Sequence, residues 1–429
     1  MSKYAALGKP TPKLDGLDMV TGRSVYIDDL RVPHMLYGRI LRSEYAHARI
    51  VNIDTSKAER LPGVKAVISK NNTPHFVFGA MHPYNIVKDY SSLAYDKVRY
   101  FGDAVAAVAA TDPDIAARAI ELIDVEYEPL PVINTPEEAL AKDAPVIHDF
   151  CPDNIADINK VRAGNVEEGF AKSDLIIEGE YKTPPQEHCS LEPHGAIASV
   201  EPSGRVNVWV TTQTATIYRY DITKLSGVPF RNINVIPTKC GGAFGGKNET
   251  TVEIECIFLS QMTGRPVKMV YSREEEFTAS SIRNPTHWFT KMGVTRDGKI
   301  MARQAKVLVD NGPYTGLSQG IEYMFGSTHA SIYNCPNVKV DAYLVYTNNV
   351  AGGAMRGYGN PQGFFAGEIE MDRAAEALGM NPIEFRMRNL PVPHEKSSVG
   401  IVNPGGLKES ILAATDGIDF NAKWKGWRR

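Results

Sequence analysis

The chain has 429 residues, 43% of them hydrophobic, which at roughly 150 residues per domain is enough for two or three domains with cores of their own. Its 47 Lys and Arg nearly balance its 50 Asp and Glu, for a net charge of -3, and no segment is strongly basic, which argues against nucleic acid or anionic membrane as a partner. No apolar run approaches the ~18 residues that cross a bilayer, and Met1-Ser2-Lys3-Tyr4-Ala5-Ala6-Leu7-Gly8-Lys9 lacks the apolar core of a secretory signal. The expectation is a cytoplasmic, multi-domain protein.

In chain order, Gly38–Arg42 and Val64–Ile68 read as short strands, and the apolar run from Val98 to Ala110 is broken at Gly102-Asp103. A helix should follow, capped by Thr111, with Pro113 in its first turn and Ile115, Ala116, Ala119, Ile120 and Ile123 on one face. Val125–Glu128 is strand-like. The Pro-, Asp- and Ala-rich stretch 131–155 predicts an exposed linker between an α/β unit at 1–130 and a second unit at 156–429. There, Ala196–Val200 and Val206–Val210 flank the turn Glu201-Pro202-Ser203-Gly204-Arg205. Thr214–Leu225 is helical, Ile233–Ile236 is a strand, and a helix from about Thr251 to Thr263 stops at Gly264. Arg296-Asp297-Gly298-Lys299 turns a second hairpin, whose next strand alternates through Ala305, Val307 and Val309. Gly363–Leu378 is a helix, and Asn381-Pro382 caps and opens another. The fold class is α+β.

The cysteines, Cys151, Cys189, Cys240, Cys256 and Cys335, are too dispersed for a zinc ribbon or an iron–sulfur cluster. His188 and His194 form the one notable histidine pair, at a spacing that suits a structural role better than a metal site.

Three loops carry candidate chemistry. Gly241-Gly242-Ala243-Phe244-Gly245-Gly246-Lys247 lies between a strand and a helix, where positive φ can turn several N–H groups into one concavity for an anion. It matches neither GxGxxG nor the P-loop, because Lys247 is followed by Asn248, and a tight turn explains the glycines equally well. Ala351-Gly352-Gly353-Ala354-Met355-Arg356-Gly357-Tyr358-Gly359 sets Arg356 among small residues, free either to meet an oxyanion or to brace the loop in an ion pair. Thr211-Thr212-Gln213 offers an amide that could reach a bound oxo group.

In this order the three loops resemble the molybdenum-binding subunit of the xanthine dehydrogenase/aldehyde oxidase family. Gly22-Arg23-Ser24-Val25-Tyr26-Ile27-Asp28-Asp29, Leu41–Ile50 and Lys97–Val108 resemble its α/β-hammerhead domain. The resemblance implies that domain at 1–130, then the first part of a molybdopterin-binding α+β region. It implies Gln213 at an oxo ligand of molybdenum, Gly242, Phe244, Gly245 and Gly246 beside metal and pterin, and Arg356 at the metal site, all contributing to the molybdenum environment without ligating it. It further implies hydroxylation of an electron-poor sp² carbon with water as oxygen source, and electrons leaving through the pterin to 2Fe-2S clusters and FAD on partner subunits. The cofactor would be molybdopterin, as the cytosine dinucleotide, with molybdenum and a terminal sulfur or selenium.

Two departures bear on substrate. Asn248 stands where xanthine-using members carry a glutamate, with Glu249 one residue later and pointing elsewhere, and Met324 stands where they carry an arginine. Tyr358 keeps an aromatic for a flat substrate, while Met324 and Phe325 would make the pocket more apolar. Long family members continue past the point where this sequence stops, into further pterin loops and the catalytic glutamate. A split molybdopterin subunit, as in nicotinate dehydrogenase, is therefore expected, with the base on a second chain beside an iron–sulfur small subunit and an FAD medium subunit. The candidate substrates are nicotinate-like or purine-like N-heteroaromatics. Reduction of an aromatic acyl-CoA, or a non-catalytic role in assembly or cofactor handling, stays open.

Overall fold

The computed structural model describes residues 4–79, 87–403 and 405–427; Met1–Lys3 of the N-terminal stretch lie outside them. A seven-stranded sheet runs edge to edge through Ile233–Pro237, Val206–Val210, Gly195–Val200, Val267–Val270, Leu36–Arg42, Ala104–Ala110 and Val64–Ser69. The stretch 1–130 therefore shares a sheet with the region after 156, joined where Leu36 and Tyr37 pair in parallel with Val267 and Lys268. Ala104–Ala110 shows why an unbroken apolar run is a strand here. Ala107 and Ala109 face a core built with the helices Ala215–Ser226 and Glu253–Thr263. Ala106, Val108 and Ala110 face a second core beneath the helix Pro113–Ile120.

A five-stranded sheet follows, in the order Ile155–Ala163, Val338–Tyr346, Ile300–Gly312, Thr286–Val294 and Leu175–Thr183. Trp288, Ala305, Val307 and Val309 pack there against the helices Ser318–Ser331 and Asn360–Ala377. The remaining sheets hold Lys97–Val98, Ala48–Asp54 and Asp124–Pro129, and the short parallel pair Ile282–Arg283 and Gly352–Gly353. Among the described residues no helix is long and apolar enough to cross a membrane.

Asn381 caps its helix as expected, accepting from the Ile383 N–H at 2.8 Å with Pro382 in the first turn. Gly227 and Gly264 end their helices in the left-handed region. The cap at 111 is corrected by one residue: Asp112, not Thr111, accepts from the Asp114 N–H at 2.9 Å. The stretch 131–155 is no exposed linker. Ile133, Ile147 and Cys151 are buried against Val345 and Tyr346, and Asn154 bonds the Ile147 N–H and the Pro145 carbonyl from inside. Two isoleucines and a cysteine at irregular spacing give no periodic signal, so the Pro- and Asp-rich composition hid them.

Candidate functional site

The strands Val206–Val210 and Ile233–Pro237 are parallel neighbours that end together at Val210 and Pro237. Beyond the first comes Gln213, and beyond the second the glycine loop, on the side of a sheet where α/β proteins commonly bind ligands. Gln213 Oε1 accepts the Gly245 N–H at 3.1 Å, and the Gln213 N–H donates to the Lys247 carbonyl at 3.0 Å. Gly245 has φ +111, and a Cβ there would fall 2.3 Å from the carbonyl oxygen of Ala354, two residues before Arg356. All three loops predicted from the sequence thus meet at Gly245. The loop runs on into the short 3-10 turn Gly246–Asn248, and the α-helix Glu253–Thr263 begins only five residues beyond it.

The donors differ from expectation. The amides of Gly245 and Gly246 are committed inside the protein, the second to Ala243 O at 2.9 Å. Among the described residues, no hydrogen bond takes up the amides of Ala243 and Phe244, Gln213 Nε2 or the Arg356 guanidinium. Gln213 and Arg356 are exposed, and Phe244, at φ +53, is 48% exposed beside them. A cation without a counter-ion, an amide N–H₂ and open backbone amides form a donor set suited to an oxyanion-rich group, which is the chemistry a molybdenum–pterin phosphate would bring.

Lys247, adjacent to the glycines, is fully buried and bonds Glu192 Oε2 at 3.0 Å and Thr211 Oγ1 at 3.2 Å, so it offers no charge to a ligand. Arg283, which sequence reasoning missed, fastens the third loop. It donates to the Arg356 carbonyl at 2.9 Å, Gln362 Oε1 at 3.2 Å and Gln186 Oε1 at 3.2 Å. It lies in a two-residue strand that carries no periodicity, so no sequence signal marks it.

The substrate candidates divide. Tyr358 is half-buried at φ +48, with its hydroxyl 3.4 Å from the Leu317 carbonyl. Met324 is half-buried on the helix Ser318–Ser331, whose Ile321 carbonyl would lie 2.6 Å from a Cβ at Gly359. Asn248 is tied to the glycine loop, its Nδ2 donating to the Gly245 carbonyl at 3.0 Å. Phe325 is corrected: it is fully buried, edge-on to Trp288 at 5.6 Å, because one residue along a helix turns the side chain by about 100°.

Glu249 turns inward, its carboxylate oxygens placed 2.2 Å from a Cβ at Gly316 and 2.9 Å from one at Gly353. Burial, with the nearby charge of Asp221, pushes its carboxyl up to about 8. It lines a cavity of about 100 Å³ beneath the loops with Arg42, Tyr90, Tyr271 and Tyr314. Among the described residues no group of three or more His, Cys, Asp or Glu is placed to hold a metal ion.

Comparison with known proteins places these features in context. Residues 21–131 match the family model of the aldehyde oxidase and xanthine dehydrogenase a/b hammerhead domain, and residues 147–390 match that of the molybdopterin cofactor-binding domain. The chain is 37% identical over 420 residues to the nicotinate dehydrogenase large molybdopterin subunit of Eubacterium barkeri, covering 96% of each. It is 37% identical over 387 residues to the xanthine dehydrogenase molybdenum-binding subunit of Escherichia coli O157:H7, covering 88% of this chain but 51% of that protein. The aldehyde oxidoreductase structure from Desulfovibrio gigas superposes with a TM-score of 0.90 at 29% identity, over 95% of this chain and 46% of that one. Apart from the nicotinate dehydrogenase subunit, the chain spans about half the length of these relatives.

Proposed function

Because the chain belongs to the xanthine dehydrogenase and aldehyde oxidase family of molybdenum-dependent oxidoreductases, we propose that it is the molybdopterin-binding subunit of a heteromeric hydroxylase acting on an N-heteroaromatic, nicotinate-like or purine-like substrate. The observation that carries this reading is the meeting of Gln213, the glycine loop and the Arg356 loop at Gly245, with Gln213 Nε2 and the Arg356 guanidinium uncommitted among the described residues.

When bound, molybdopterin supplies the redox-active metal at which an electron-poor sp² carbon is oxidised, with water as the oxygen source. The chain's own residues hold and orient. Gln213 Nε2 would donate to an oxo group of the bound cofactor and Arg356 would stabilise negative charge there. The exposed Phe244 ring keeps water from that face. The half-buried Tyr358 ring offers an aromatic wall to a flat substrate, with Met324 nearby and Asn248 holding the glycine loop.

Glu249, next to the glycine loop in sequence, turns inward towards Gly316 and Gly353 and away from this donor face. By likeness to the nicotinate dehydrogenase large molybdopterin subunit, the base would belong, on this reading, to a second molybdopterin subunit. Iron–sulfur and FAD subunits would carry the electrons onward in the cytoplasm. The cofactor would be the cytosine dinucleotide, with a terminal sulfur or selenium on the metal.

Native purification followed by mass spectrometry of co-purifying chains and a dye-reduction screen tests this. Dye reduction with N-heteroaromatics supports the assignment. Turnover confined to aromatic acyl-CoA would overturn the substrate class, and absence of molybdenum would overturn the function.

A further inference from the structure

The segment His188-Cys189-Ser190-Leu191-Glu192-Pro193-His194 belongs to none of the three loops, yet it touches every one of them. His188 is buried, with Nε2 donating to the Ala354 carbonyl of the Arg356 loop at 2.8 Å. The same ring occupies the space beside Gly246, where a Cβ would fall 2.9 Å from Nδ1. Glu192 Oε2 accepts the Gly241 N–H at 2.6 Å at the start of the glycine loop and the Thr211 hydroxyl at 2.8 Å at the root of the Gln213 loop. It also neutralises buried Lys247. His194 Nε2 donates to the Gly246 carbonyl at 3.1 Å, while Nδ1 meets Glu276 at 2.9 Å. With acceptors on both ring nitrogens, His194 carries both protons.

The segment is held from behind. The helix Arg273–Ala279 supplies Glu276, and its Arg273 donates to the Leu191 carbonyl at 3.0 Å. Ser280, at the helix end, lies 3.3 Å from Glu187. A helix thus backs one short segment, and that segment contacts all three loops.

We propose that residues 188–194 form a strap whose side chains His188, Glu192 and His194 set the relative position of the three cofactor loops, with His188 the wedge between the glycine loop and the Arg356 loop. These are positioning residues: they act through backbone carbonyls and amides and do not touch the cofactor. The inference rests on the three loops being the molybdopterin site.

The pair His188→Leu and His188→Gln tests it in the intact assembly. Leucine keeps bulk and loses the donor; glutamine restores a donor near Ala354. Removing one buried hydrogen bond here is expected to displace the Arg356 loop and lower kcat by about tenfold or more with KM little changed. The Mo(V) electron paramagnetic resonance signal should shift in His188→Leu, and glutamine should recover most of both losses. Molybdenum lost from the leucine variant and regained in the glutamine variant supports the strap equally. The strap is overturned if both variants keep wild-type kcat and the wild-type Mo(V) signal. It is also overturned if both lose melting temperature alike with no difference in signal, since that is what a purely structural side chain would do. Should His188→Leu fail to fold, Glu276→Gln, which weakens the hold on His194 from outside the strap, must shift the same signal or the inference falls. A wild-type assembly without molybdenum would refute the cofactor site itself, which keeps the two failures apart.

Discussion

Gly245→Ala is the substitution whose effect is most directly set by the geometry. At φ +111 and ψ -26 the residue lies where a side chain is strained, at about 1–3 kcal/mol. The added Cβ would fall 2.3 Å from the Ala354 carbonyl oxygen and 3.0 Å from the Met355 Cα, both backbone atoms that cannot swing aside. Carbon and carbonyl oxygen touch at about 3.3 Å, so the two loops must separate by about 1 Å. Overpacking of this kind adds about 1–3 kcal/mol. A displacement of that size between Gln213 and Arg356 is expected to lower turnover by roughly 10²-fold. The control is Gly264→Ala, also at positive φ but with nothing within 4 Å of its Cβ. It should cost about 1–2 kcal/mol of stability and leave turnover intact. Molybdenum content, turnover and melting temperature are measured for both variants in the assembled enzyme. Wild-type metal content and turnover in Gly245→Ala would refute the claim that the loops must approach this closely.

Gln213→Ala and Arg356→Ala should each reduce turnover by at least ~10²-fold with subunit assembly retained, as for loss of one electrostatic donor; unchanged turnover in both would favour a bracing role. Glu255 is buried with neither carboxylate oxygen hydrogen-bonded among the described residues, and burial pushes its carboxyl up to about 8. Its folded value lies above the ordinary 4.5, so the stability it allows is full below pH 4.5 and is lost progressively towards pH 8. The melting temperature of Glu255→Gln should therefore gain on wild type as pH rises over that range, and a constant difference would refute this. For His194, burial lowers the ring's affinity for protons, but the hydrogen bond and charge of Glu276 outweigh it and leave the value raised. Its contribution is full below the ordinary 6.5 and is lost as pH rises through the raised value. The stability deficit of His194→Gln should accordingly be largest on the acid side of neutrality and shrink towards alkaline pH.

Most elements were legible because their signals are local. Gly227, Gly264 and Asn381 mark helix ends by chemistry that needs no tertiary partner. The apolar run ending at Ala110 was legible, but not its place in a sheet shared by both halves of the chain, since pairing of Leu36 with Val267 leaves no trace in either segment. The candidate site was legible through glycine spacing and the lone Arg356, while its supports were not. Arg283, Glu192 and His188 act through backbone atoms far away in sequence, so each looks like an ordinary polar residue until the chain is folded. Lys247 misleads in the opposite sense, because a lysine beside glycines suggests a ligand and this one is sealed inside by Glu192.

The central claim is that Gln213, the glycine loop and Arg356 hold a molybdenum cofactor. Elemental analysis of the natively purified assembly, referenced to the amount of this chain, measures it most directly. Molybdenum present in equal number to the chain, and lost together with pterin from Gly245→Ala but not from Gly264→Ala, is the predicted result. A fully assembled enzyme that turns over substrate without molybdenum, or that keeps it undiminished in Gly245→Ala, would contradict the account.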